Sequence, residues 1–487
     1  MRQESNSFVC HEAQALSKPN RRERGGRLTL DDKPQKRDNT ARDDTMSKPT
    51  AFFAAQIETP LTGTSRLAGD KSISHRALLL GACASGETQI TGLLEGDDVM
   101  ATARAMRAVG AQIERLGAGH YKVIGVGPAG LRQPDAPLDF GNAGTGVRLS
   151  IGLLAGAGVA AAFTGDASLS ARPMARIMQP LQQMGAQFQA AQGDTLPLSI
   201  VPQPLMPADI TPETASAQVK SAILLAGLHC RGEIIVREAH VTRSHSETML
   251  ALFGADIERF EEGGKHVVRL RGPAHLRGTQ IDVPGDPSSA AFPIIAALLV
   301  PGSDIVLENI MLTQQRDGLI RVLRMMGGDI TLTNHRTASG EPVADLRIRH
   351  AQLHAVDVPA DMAPDMIDEF PALAMAAACA DGTTHMAGLG ELRVKESDRL
   401  AAIAEGLAAN GVAVEAGADS LTVQGMARVP GGAVVATHHD HRIAMAFLCL
   451  GLVAERAIGV DDISMIATSF PNFFVEMNRL GAGFDAS

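Results

Sequence analysis

The residues of this sequence with the clearest chemical potential are cations that recur where an apolar segment begins. Lys and Arg usually lie on a solvated surface, but these stand beside Ala- and Leu-rich runs and next to Gly, Ser or Pro. The planar guanidinium of Arg binds two oxygens of a carboxylate or phosphate at once. So many cations gathered together would repel each other unless anions lay among them, and the sequence therefore predicts substrates with several negative charges. The cations are Lys71, Arg76, Arg148, Arg172, Lys220, Arg243, Lys395, Arg399 and Arg442.

Two acidic segments accompany the cations. Asp368 stands just before an apolar run, and Glu396 lies in residues 393–399, where charges alternate densely. If residues 393–399 are helical, Lys395 and Arg399 are four residues apart and share one face. Carboxylates among cations can serve as a base and an acid, because the neighbours adjust their pKa values. A salt-bridged surface helix would give the second segment the same spacing, so spacing alone leaves both interpretations open.

The elements that would position these residues repeat six times along the chain. Each copy has a polar or Gly-containing turn, an Ala/Leu-rich helical run, a small-residue turn and a β-branched strand. The helical runs are apolar on nearly all faces, which is typical of helices buried on every side. We therefore expect an α/β (α+β) fold of six βαβαββ repeats, three per domain, with buried helices inside and sheets around them. The openings of the six copies are residues 69–72, 141–145, 216–220, 285–289, 364–368 and 438–442.

The openings themselves could bind an anion. Each places Ser, Asn, Asp, Thr or Gly where a helix begins, so that unpaired backbone N–H groups and the positive end of the helix dipole face outward. One such end is an ordinary N-cap. Several in one cleft, beside Lys and Arg, would bind phosphate or carboxylate strongly.

Composition excludes several classes of protein. The net charge of −10 and the aromatic content of 3% argue against a nucleic-acid binder. The five cysteines are scattered and never form a C-x-x-C pair, which predicts a reduced compartment without a disulfide framework or a zinc site. No apolar run is long enough for a membrane span. Residues 1–49 lack the apolar core of a secretory signal and read as a disordered or spurious tail preceding the patterned chain, so we expect a cytoplasmic protein.

Sequence motifs for the binding of a cofactor or a metal are incomplete or absent. Residues 125–130 match G-x-G-x-x-G, but the prolines that follow exclude the required helix. No phosphate-binding loop of the G-x-x-x-x-G-K-[ST] type is present. His438, His439 and His441 are adjacent at a helix start and point in different directions, without a supporting carboxylate pattern. We therefore expect neither a cofactor nor a metal.

Seven segments, taken together and in order, resemble the enolpyruvyl transferase family, and within it the 5-enolpyruvylshikimate-3-phosphate synthases. The resemblance extends from about residue 52 to residue 482. Each segment alone is weakly specific, but seven in the same order are highly specific. The segments are residues 69–76, 141–145, 172–174, 216–220, 368–369, 395–399 and 440–442.

The resemblance implies a particular architecture and reaction. Two similar domains, each of three βαβαββ units in an inside-out α/β barrel, would be joined by a double crossover. Residues 50–68 plus 284–487 would form one domain and residues 69–283 the other. The enzyme would be a monomer that transfers the enolpyruvyl group of phosphoenolpyruvate to the 5-hydroxyl of shikimate 3-phosphate and releases phosphate, in the shikimate pathway to chorismate.

The resemblance also implies roles for individual residues. The catalytic residues would be Asp368 as the base, Glu396 as the proton donor and acceptor, and Lys71. Phosphoenolpyruvate would be bound by Lys71, Gly144, Arg172, Gln218, Arg399 and Arg442. Shikimate 3-phosphate would be bound by Lys71, Ser72, Arg76, Ser216, Ala217, Gln218, Arg243, Asp368 and Lys395. The herbicide glyphosate would occupy the phosphoenolpyruvate site, where Gly144 leaves space for it.

Three alternatives remain at this point. The related UDP-N-acetylglucosamine enolpyruvyl transferases usually have Lys-Asn where this chain has Lys71 and Ser72, and a loop cysteine that neither Cys83 nor Cys230 resembles. An enzyme like the RNA 3′-phosphate cyclases shares the fold but is opposed by the acidic charge and scarce aromatics. A non-catalytic repeat scaffold would not need Asp368 and Glu396 among converging cations.

Overall fold

The computed structural model describes residues 51–484 except residues 128 and 192, so the predicted tail, residues 1–49, lies outside the described residues. The helices are α1 (Lys71–Cys83), α2 (Asp97–Ala108), α3 (Gly144–Gly156), α4 (Ala167–Ser170), α5 (Ala175–Gln183), α6 (Ala217–Gly227), α7 (His245–Leu252), α8 (Pro287–Leu299), α9 (Gly318–Met325), α10 (Ala363–Met366), α11 (Phe370–Ala378), α12 (Arg399–Ala409), α13 (His441–Gly451) and α14 (Phe473–Leu480). Short 3₁₀ helices span Ala360–Met362, Gly390–Val394 and Ser464–Thr468.

The strands are short and mostly alternate between exposed and buried positions. They are β1 (Phe52–Ala54), β2 (Thr62–Ser65), β3 (Ser85–Thr91), β4 (Gln112–Gly117), β5 (His120–Val126), β6 (Leu138–Asp139), β7 (Ala161–Thr164), β8 (Gln187–Ala190), β9 (Leu198–Val201), β10 (Asp209–Ile210), β11 (Gly232–Glu238), β12 (Asp256–Glu262), β13 (Lys265–Gly272), β14 (Gln280–Asp282), β15 (Asp304–Met311), β16 (Asp329–Ala338), β17 (Glu341–Arg349), β18 (Asp357–Val358), β19 (Thr383–Ala387), β20 (Val414–Ala416), β21 (Ser420–Gln424), β22 (Val434–Val435) and β23 (Ile458–Val460).

Six helices, α1, α3, α6, α8, α11 and α13, are buried over most of their length. Five of them begin within the openings predicted from the sequence. The exception is α11, which begins at Phe370, just after its predicted opening, and the short α10 lies in that opening instead. Pro371 lies in the first turn of α11, where its missing N–H and fixed φ are tolerated, so the helix begins there. The prediction of six buried helices is confirmed.

Six separate sheets surround these helices. Five sheets share one plan: a parallel pair of strands followed by an antiparallel hairpin, as in the order β6-β7-β9-β8. The sixth has three strands in the order β1-β23-β22, and β1 pairs antiparallel with β23. This arrangement confirms the predicted α/β fold of six βαβαββ units with helices inside and sheets outside.

Two strands are exchanged between the groups of repeats. β2 precedes α1 in the chain but pairs parallel with β15, whereas β14 precedes α8 but pairs parallel with β3. The two connections therefore cross side by side. The Asp70 N–H donates to the Pro284 carbonyl at 2.7 Å, and the Asp286 N–H donates to the Ala68 carbonyl at 3.3 Å. We refer to residues 66–70 and 283–286 as the two crossovers.

The described residues contain two hydrophobic cores. The mid-chain core runs from Ile73 to Val283 and includes Met311, and the outer-chain core combines Ala54–Leu67 with residues 290–484. The cores separate where the crossovers lie. This separation supports the domain boundaries expected from the sequence, which remain a prediction.

Candidate active site

Lys71 is the first residue of α1 and is oriented by acidic neighbours. Asp70 caps the helix, and its Oδ1 accepts the Ile73 N–H at 2.8 Å. The Lys71 ammonium pairs with the buried carboxylate of Asp98, and the Lys71 N–H donates to Asp286 Oδ2 at 3.3 Å. Its side chain is 19% exposed, so its ammonium can reach a ligand while it remains fixed at its base.

Arg76 lies one turn further along α1 and is buried, only 4% exposed. Its Nε donates to Ser246 Oγ at 2.8 Å, its Nη2 to Ser221 Oγ at 2.7 Å and its Nη1 to the Ser72 carbonyl at 3.0 Å. Burial is the main reason that its pKa falls to about 10. These bonds place the guanidinium behind Ser72, under the N-terminal turn of α1.

The N-termini of α3 and α6 have no side-chain cap. Ala143 precedes α3 and Ser216 precedes α6, and neither side chain accepts a first-turn N–H. By contrast, aspartates cap α1, α8 and α13. Gln218 connects the two uncapped ends, since its Nε2 donates to Thr145 Oγ1 at 3.0 Å. Ala217 and Gln218 open α6, and Gly144 opens α3. The Gly144 N–H already donates to the Asn142 carbonyl at 2.7 Å, so the N–H groups available to an anion are those of the α6 first turn and those that follow Gly144 in α3.

Arginines gather around the start of α3. A Cβ built on Gly144 would lie 3.1 Å from Arg172 Nη1 and 3.4 Å from Arg148 Nη1. Arg172 Nη2 contacts Asn142 Oδ1 at 2.5 Å, and Arg148 Nη1 donates to Gln218 Oε1 at 3.0 Å. Burial, followed by repulsion from Arg176 and Arg172, lowers the pKa of Arg148 to about 10. This cluster therefore has an excess of positive charge that an anionic ligand would compensate.

Asp368 joins residues from both cores. Its Oδ2 lies 3.2 Å from Arg243 Nη2, and its Oδ1 lies 3.3 Å from both Lys395 Nζ and Arg399 Nη1. Burial by itself would raise the pKa of this carboxyl, but four cations outweigh burial and hold the pKa well below its ordinary value. The cations, strongest first, are Lys395, Arg442, Arg243 and Arg399.

Glu396 lies beside the same arginine. Arg399 is fully buried, and its Nη2 contacts Glu396 Oε2 while its Nε donates to Asp440 Oδ2 at 2.7 Å. Burial would raise the pKa of Glu396, yet the basic groups around it hold the pKa well below its ordinary value. These groups, strongest first, are Arg399, His441, Arg172 and Lys71.

The backbone around Glu396 differs from the sequence expectation. Residues 390–394 form a 3₁₀ helix, and α12 begins only at Arg399, so Lys395 and Arg399 do not share a helical face. Asp398 caps α12 by accepting the Ala401 N–H at 3.0 Å, which fixes the start of the helix there. Lys395 and Arg399 still meet at Asp368, because residues 395–398 form the turn between the two helices.

Asp440, His441 and Arg442 form the start of α13. Asp440 accepts a hydrogen bond from the Arg442 N–H at 2.9 Å, and its carboxylate also accepts one from Arg399 Nε. His441 Nε2 is buried and, in the part of the chain that the structure describes, has no hydrogen-bond partner. Burial, with Arg442 and Lys71, holds the pKa of His441 well below its ordinary value. The sequence singled out His441 only as a doubtful metal ligand, so its place beside Glu396 was missed.

One of the cations that the sequence singled out forms buried ion pairs within the protein. Lys220 is 1% exposed, and its ammonium lies 2.8 Å from both Glu238 Oε2 and Glu247 Oε1. Its charge is therefore balanced inside the protein. The position of Lys220 one turn into α6 could not reveal these partners, because Glu238 and Glu247 lie on β11 and α7.

The fold and this site define a class of protein: a two-core enzyme of βαβαββ units with two partly buried carboxylates among cations. Its sequence matches the family model described as EPSP synthase (3-phosphoshikimate 1-carboxyvinyltransferase) over residues 55–477. The chain belongs to this family.

Individual relatives agree with the family assignment. A 3-phosphoshikimate 1-carboxyvinyltransferase of Afipia carboxidovorans is 55% identical over 442 residues, which span 90% of this chain and 99% of that relative. One of a Chelativorans species is 56% identical over 428 residues, or 87% of this chain and 95% of that relative.

Solved structures agree as well. An EPSP synthase from Acinetobacter baumannii matches with a TM-score of 0.80 and 43% identity, covering 89% of this chain and 99% of that one. The enolpyruvyl transferase NikO from Streptomyces tendae matches with a TM-score of 0.70 at 19% identity, covering 89% of this chain and 98% of that one, and supports the fold alone. Within the described residues, no helix is long and apolar enough to cross a membrane.

Proposed function

We infer that this chain transfers the carboxyvinyl group of phosphoenolpyruvate to the 5-hydroxyl of shikimate 3-phosphate and releases inorganic phosphate. The observation that carries this inference is the pairing of Asp368 and Glu396 with the two Nη atoms of the buried Arg399, in a chain of the EPSP synthase family. The two alternative enzyme classes gain no support from the comparisons.

The reaction needs a base at the hydroxyl and an acid at the methylene carbon. In our proposal Asp368 accepts the proton of the 5-hydroxyl as its oxygen forms a bond to C2 of phosphoenolpyruvate. The low pKa of Asp368 keeps it ionised. Lys395 and Arg243 lie beside it and would hold the phosphate and the ring hydroxyls of shikimate 3-phosphate.

Glu396 would carry the second proton. It would donate a proton to C3 of phosphoenolpyruvate, giving a tetrahedral intermediate, and later remove a proton from C3 as the bond from C2 to the phosphate oxygen breaks. The surrounding basic groups hold its pKa well below the ordinary value. Bound phosphate and carboxylate groups would neutralise those cations and raise the pKa, so that Glu396 gains its proton when the substrates bind.

The remaining predicted residues would bind the two anions. Lys71, Arg172, Arg399 and Arg442 would hold phosphoenolpyruvate against the N-terminus of α3 at Gly144, with Gln218 next to it. Ser72, Arg76, Ser216, Ala217, Arg243 and Lys395 would hold shikimate 3-phosphate. Such donors stabilise charge that develops on the leaving phosphate.

We also propose the finer features that the resemblance implied: domains of residues 50–68 plus 284–487 and of residues 69–283, a monomeric enzyme, and a cytoplasmic location. Separation of the two hydrophobic cores supports the domain division. Light scattering on the purified protein would give the mass of one chain if the enzyme is a monomer.

Phosphate release tests the proposed reaction directly. Purified enzyme with phosphoenolpyruvate should release phosphate when shikimate 3-phosphate is added, and none when UDP-N-acetylglucosamine is added. The opposite preference would assign the chain to the other class of enolpyruvyl transferase.

Substitution of the two carboxylates tests their roles. Asp368→Asn and Glu396→Gln should each lower turnover by about a hundredfold or more, the usual scale for a positioned proton-transfer group, with much smaller effects on substrate binding by calorimetry. Asp361→Asn and Glu391→Gln, at exposed positions on the neighbouring 3₁₀ helices, are matched controls that should keep full turnover. Near-normal turnover in either site variant would make its role assignment wrong.

A further inference from the structure

The two crossovers meet at a buried arginine that no sequence motif assigned to the site. The Arg316 side chain is 2% exposed. Its Nη1 lies 3.0 Å from Asp70 Oδ2, and its Nη2 lies 2.8 Å from Asp286 Oδ1. Arg316 therefore contacts one carboxylate from each crossover.

Both carboxylates also fix the helices that follow them. Asp70 caps α1, and Asp286 Oδ1 accepts the Ser288 N–H at 2.8 Å to cap α8. The second oxygen of Asp286 reaches across to α1, where it accepts the Lys71 N–H at 3.3 Å. The backbone of Lys71 is thus held by a residue from the other crossover.

Charge makes this contact more than a packing detail. The side chains of Asp70 and Asp286 are only 1% and 6% exposed, and breaking a buried ion pair leaves an uncompensated charge. Although burial would raise the pKa of Asp70, the pKa is lowered, and Arg316 is the strongest of the groups that lower it. Without the guanidinium, two buried carboxylates would face each other across the crossovers.

The same guanidinium is connected to the carboxylate side of the site. Arg316 Nη2 donates to Ser288 Oγ at 2.9 Å, and Ser288 Oγ in turn donates to Glu369 Oε1. Glu369 is buried and directly follows Asp368 in the chain. One side chain thus reaches the base of the Lys71 segment and the residue next to Asp368.

We propose that Arg316 is a positioning residue, which holds the two crossovers in register and so fixes Lys71 relative to Asp368. This proposal rests on the proposed function for the roles of Lys71 and Asp368. An arginine is suited to it because its rigid fork can contact both aspartates at once, whereas a lysine offers one point charge.

Arg316→Lys tests the proposal while keeping the positive charge in the core. We expect kcat/KM for phosphoenolpyruvate to fall at least about tenfold, or 1.4 kcal/mol. Hydrogen–deuterium exchange should accelerate in peptides covering residues 70–80, with no change in peptides covering α6. The matched control is Arg321→Lys, since Arg321 also bridges two aspartates, Asp317 and Asp365, away from the crossovers, and it should change neither readout.

A double-mutant cycle separates positioning from general stabilisation. If Arg316 acts through Asp286, the losses from Arg316→Lys and Asp286→Asn should overlap, and the double variant should be little worse than either single one. The proposal would be wrong if the fold-losses in kcat/KM of the two single variants multiplied in the double variant. It would also be wrong if hydrogen–deuterium exchange became faster evenly over the whole protein. If Arg316→Lys does not fold, Asp286→Asn carries the test, because it should speed exchange at residues 70–80 by itself.

The exchange readout keeps this proposal separate from the proposed reaction. A wild-type enzyme that released no phosphate with shikimate 3-phosphate would contradict the reaction, and the exchange pattern would still report whether Arg316 holds α1. Unchanged exchange at residues 70–80 in both variants would contradict the proposal about Arg316 whatever reaction the enzyme catalyses.

Discussion

Arg399 contacts both carboxylates that the proposed reaction uses. It is fully buried, and its three nitrogens reach Asp368, Glu396 and Asp440. A buried guanidinium with three carboxylate partners is well compensated, so its position is fixed before substrate arrives. The proposed base and the proposed acid therefore share one rigid neighbour, although 28 positions separate them in the sequence.

This arrangement makes stability depend on pH in a defined direction. The pKa values of Asp368 and Glu396 are held well below their ordinary values of 3.8 and 4.5. Their contribution to the free energy of unfolding should be complete above those ordinary values and disappear as the pH falls below them. Urea denaturation should give the wild type a higher free energy of unfolding than the Asp368→Asn/Glu396→Gln double variant at neutral pH. This difference in free energy should shrink below about pH 4. A difference that stays constant down to pH 3 would contradict these pKa directions.

Gly144 controls the space at the start of α3. A methyl group there would lie 3.1 Å from Arg172 Nη1, closer than a Cβ normally comes to a neighbouring atom. We expect the wild type to be sensitive to glyphosate, which would occupy the phosphoenolpyruvate site, and Gly144→Ala to raise its inhibition constant at least about tenfold, or 1.4 kcal/mol. The KM for phosphoenolpyruvate should rise less, because phosphoenolpyruvate is the shorter molecule. A wild-type enzyme indifferent to millimolar glyphosate would show this expectation to be wrong.

At the residue scale, the sequence motifs identified the cations and carboxylates near helix openings but not the side chains with which they pair. The sequence singled out Asp368, Glu396, Arg243, Lys395 and Arg399, and the structure brings them together. It could not distinguish Lys220, whose carboxylate partners come from other elements, from a ligand-binding cation. Partnership of this kind depends on long-range packing, which residue type and local spacing do not encode.

Two adjacent helices owe their close approach to glycine. A Cβ on Gly152 of α3 would lie 2.3 Å from the Ala222 carbonyl oxygen of α6, and one on Gly156 would lie 2.3 Å from that of Ala226. Both contacts are with backbone, which cannot move as a side chain can. The uncapped ends of these helices, which we assign to anion binding, are therefore held together by glycines more than one turn inside them.

Gly152→Ala should separate α3 from α6. We expect the free energy of unfolding to fall by about 1–3 kcal/mol, as for other overpacked cores, together with weaker binding of phosphoenolpyruvate. Urea denaturation and calorimetry would measure the two effects. Gly390→Ala is the control, because the nearest atom to its Cβ would be 3.7 Å away. Equal stability of the two variants would mean that the helices can separate without cost.

At the element scale, periodicity predicted the buried helices better than their short connections. Long apolar runs favour burial away from water, and the six buried helices coincide with these runs. Residues 393–399 carry alternating charge and look helical, but the cap supplied by Asp398 starts α12 only at Arg399. A single capping bond in this segment outweighs the weak helical tendency of the three residues before it.

The whole molecule holds its site between two cores. Arg243 belongs to the chain segment of the mid-chain core and Asp368 to that of the outer-chain core, and they lie 3.2 Å apart. Burial, and after it repulsion from Arg176 and Arg172, lowers the pKa of Arg148 in the mid-chain segment. In our proposal a phosphorylated substrate binds to mid-chain cations and to Arg399 and Arg442 of the outer-chain segment, so its binding should draw the cores together.

X-ray scattering would detect such closure. The radius of gyration should decrease when shikimate 3-phosphate is added, and shikimate without its phosphate should have a smaller effect. Arg243→Gln, which removes a contact between the cores, should weaken the response. Identical scattering profiles with and without shikimate 3-phosphate would count against closure.

The exchange of β2 and β14 also sets the order in which the chain can be completed during synthesis. The mid-chain core needs β14, which leaves the ribosome after nearly all of that core, since only Val283 and Met311 follow it. β2 must wait for β15, and β1 must wait for β23, some four hundred residues later. β1 is therefore an open edge for most of the time that the chain is being made, and β2 is an open edge for about half of that time. Their lengths of three and four residues keep those edges too short to attract another chain strongly.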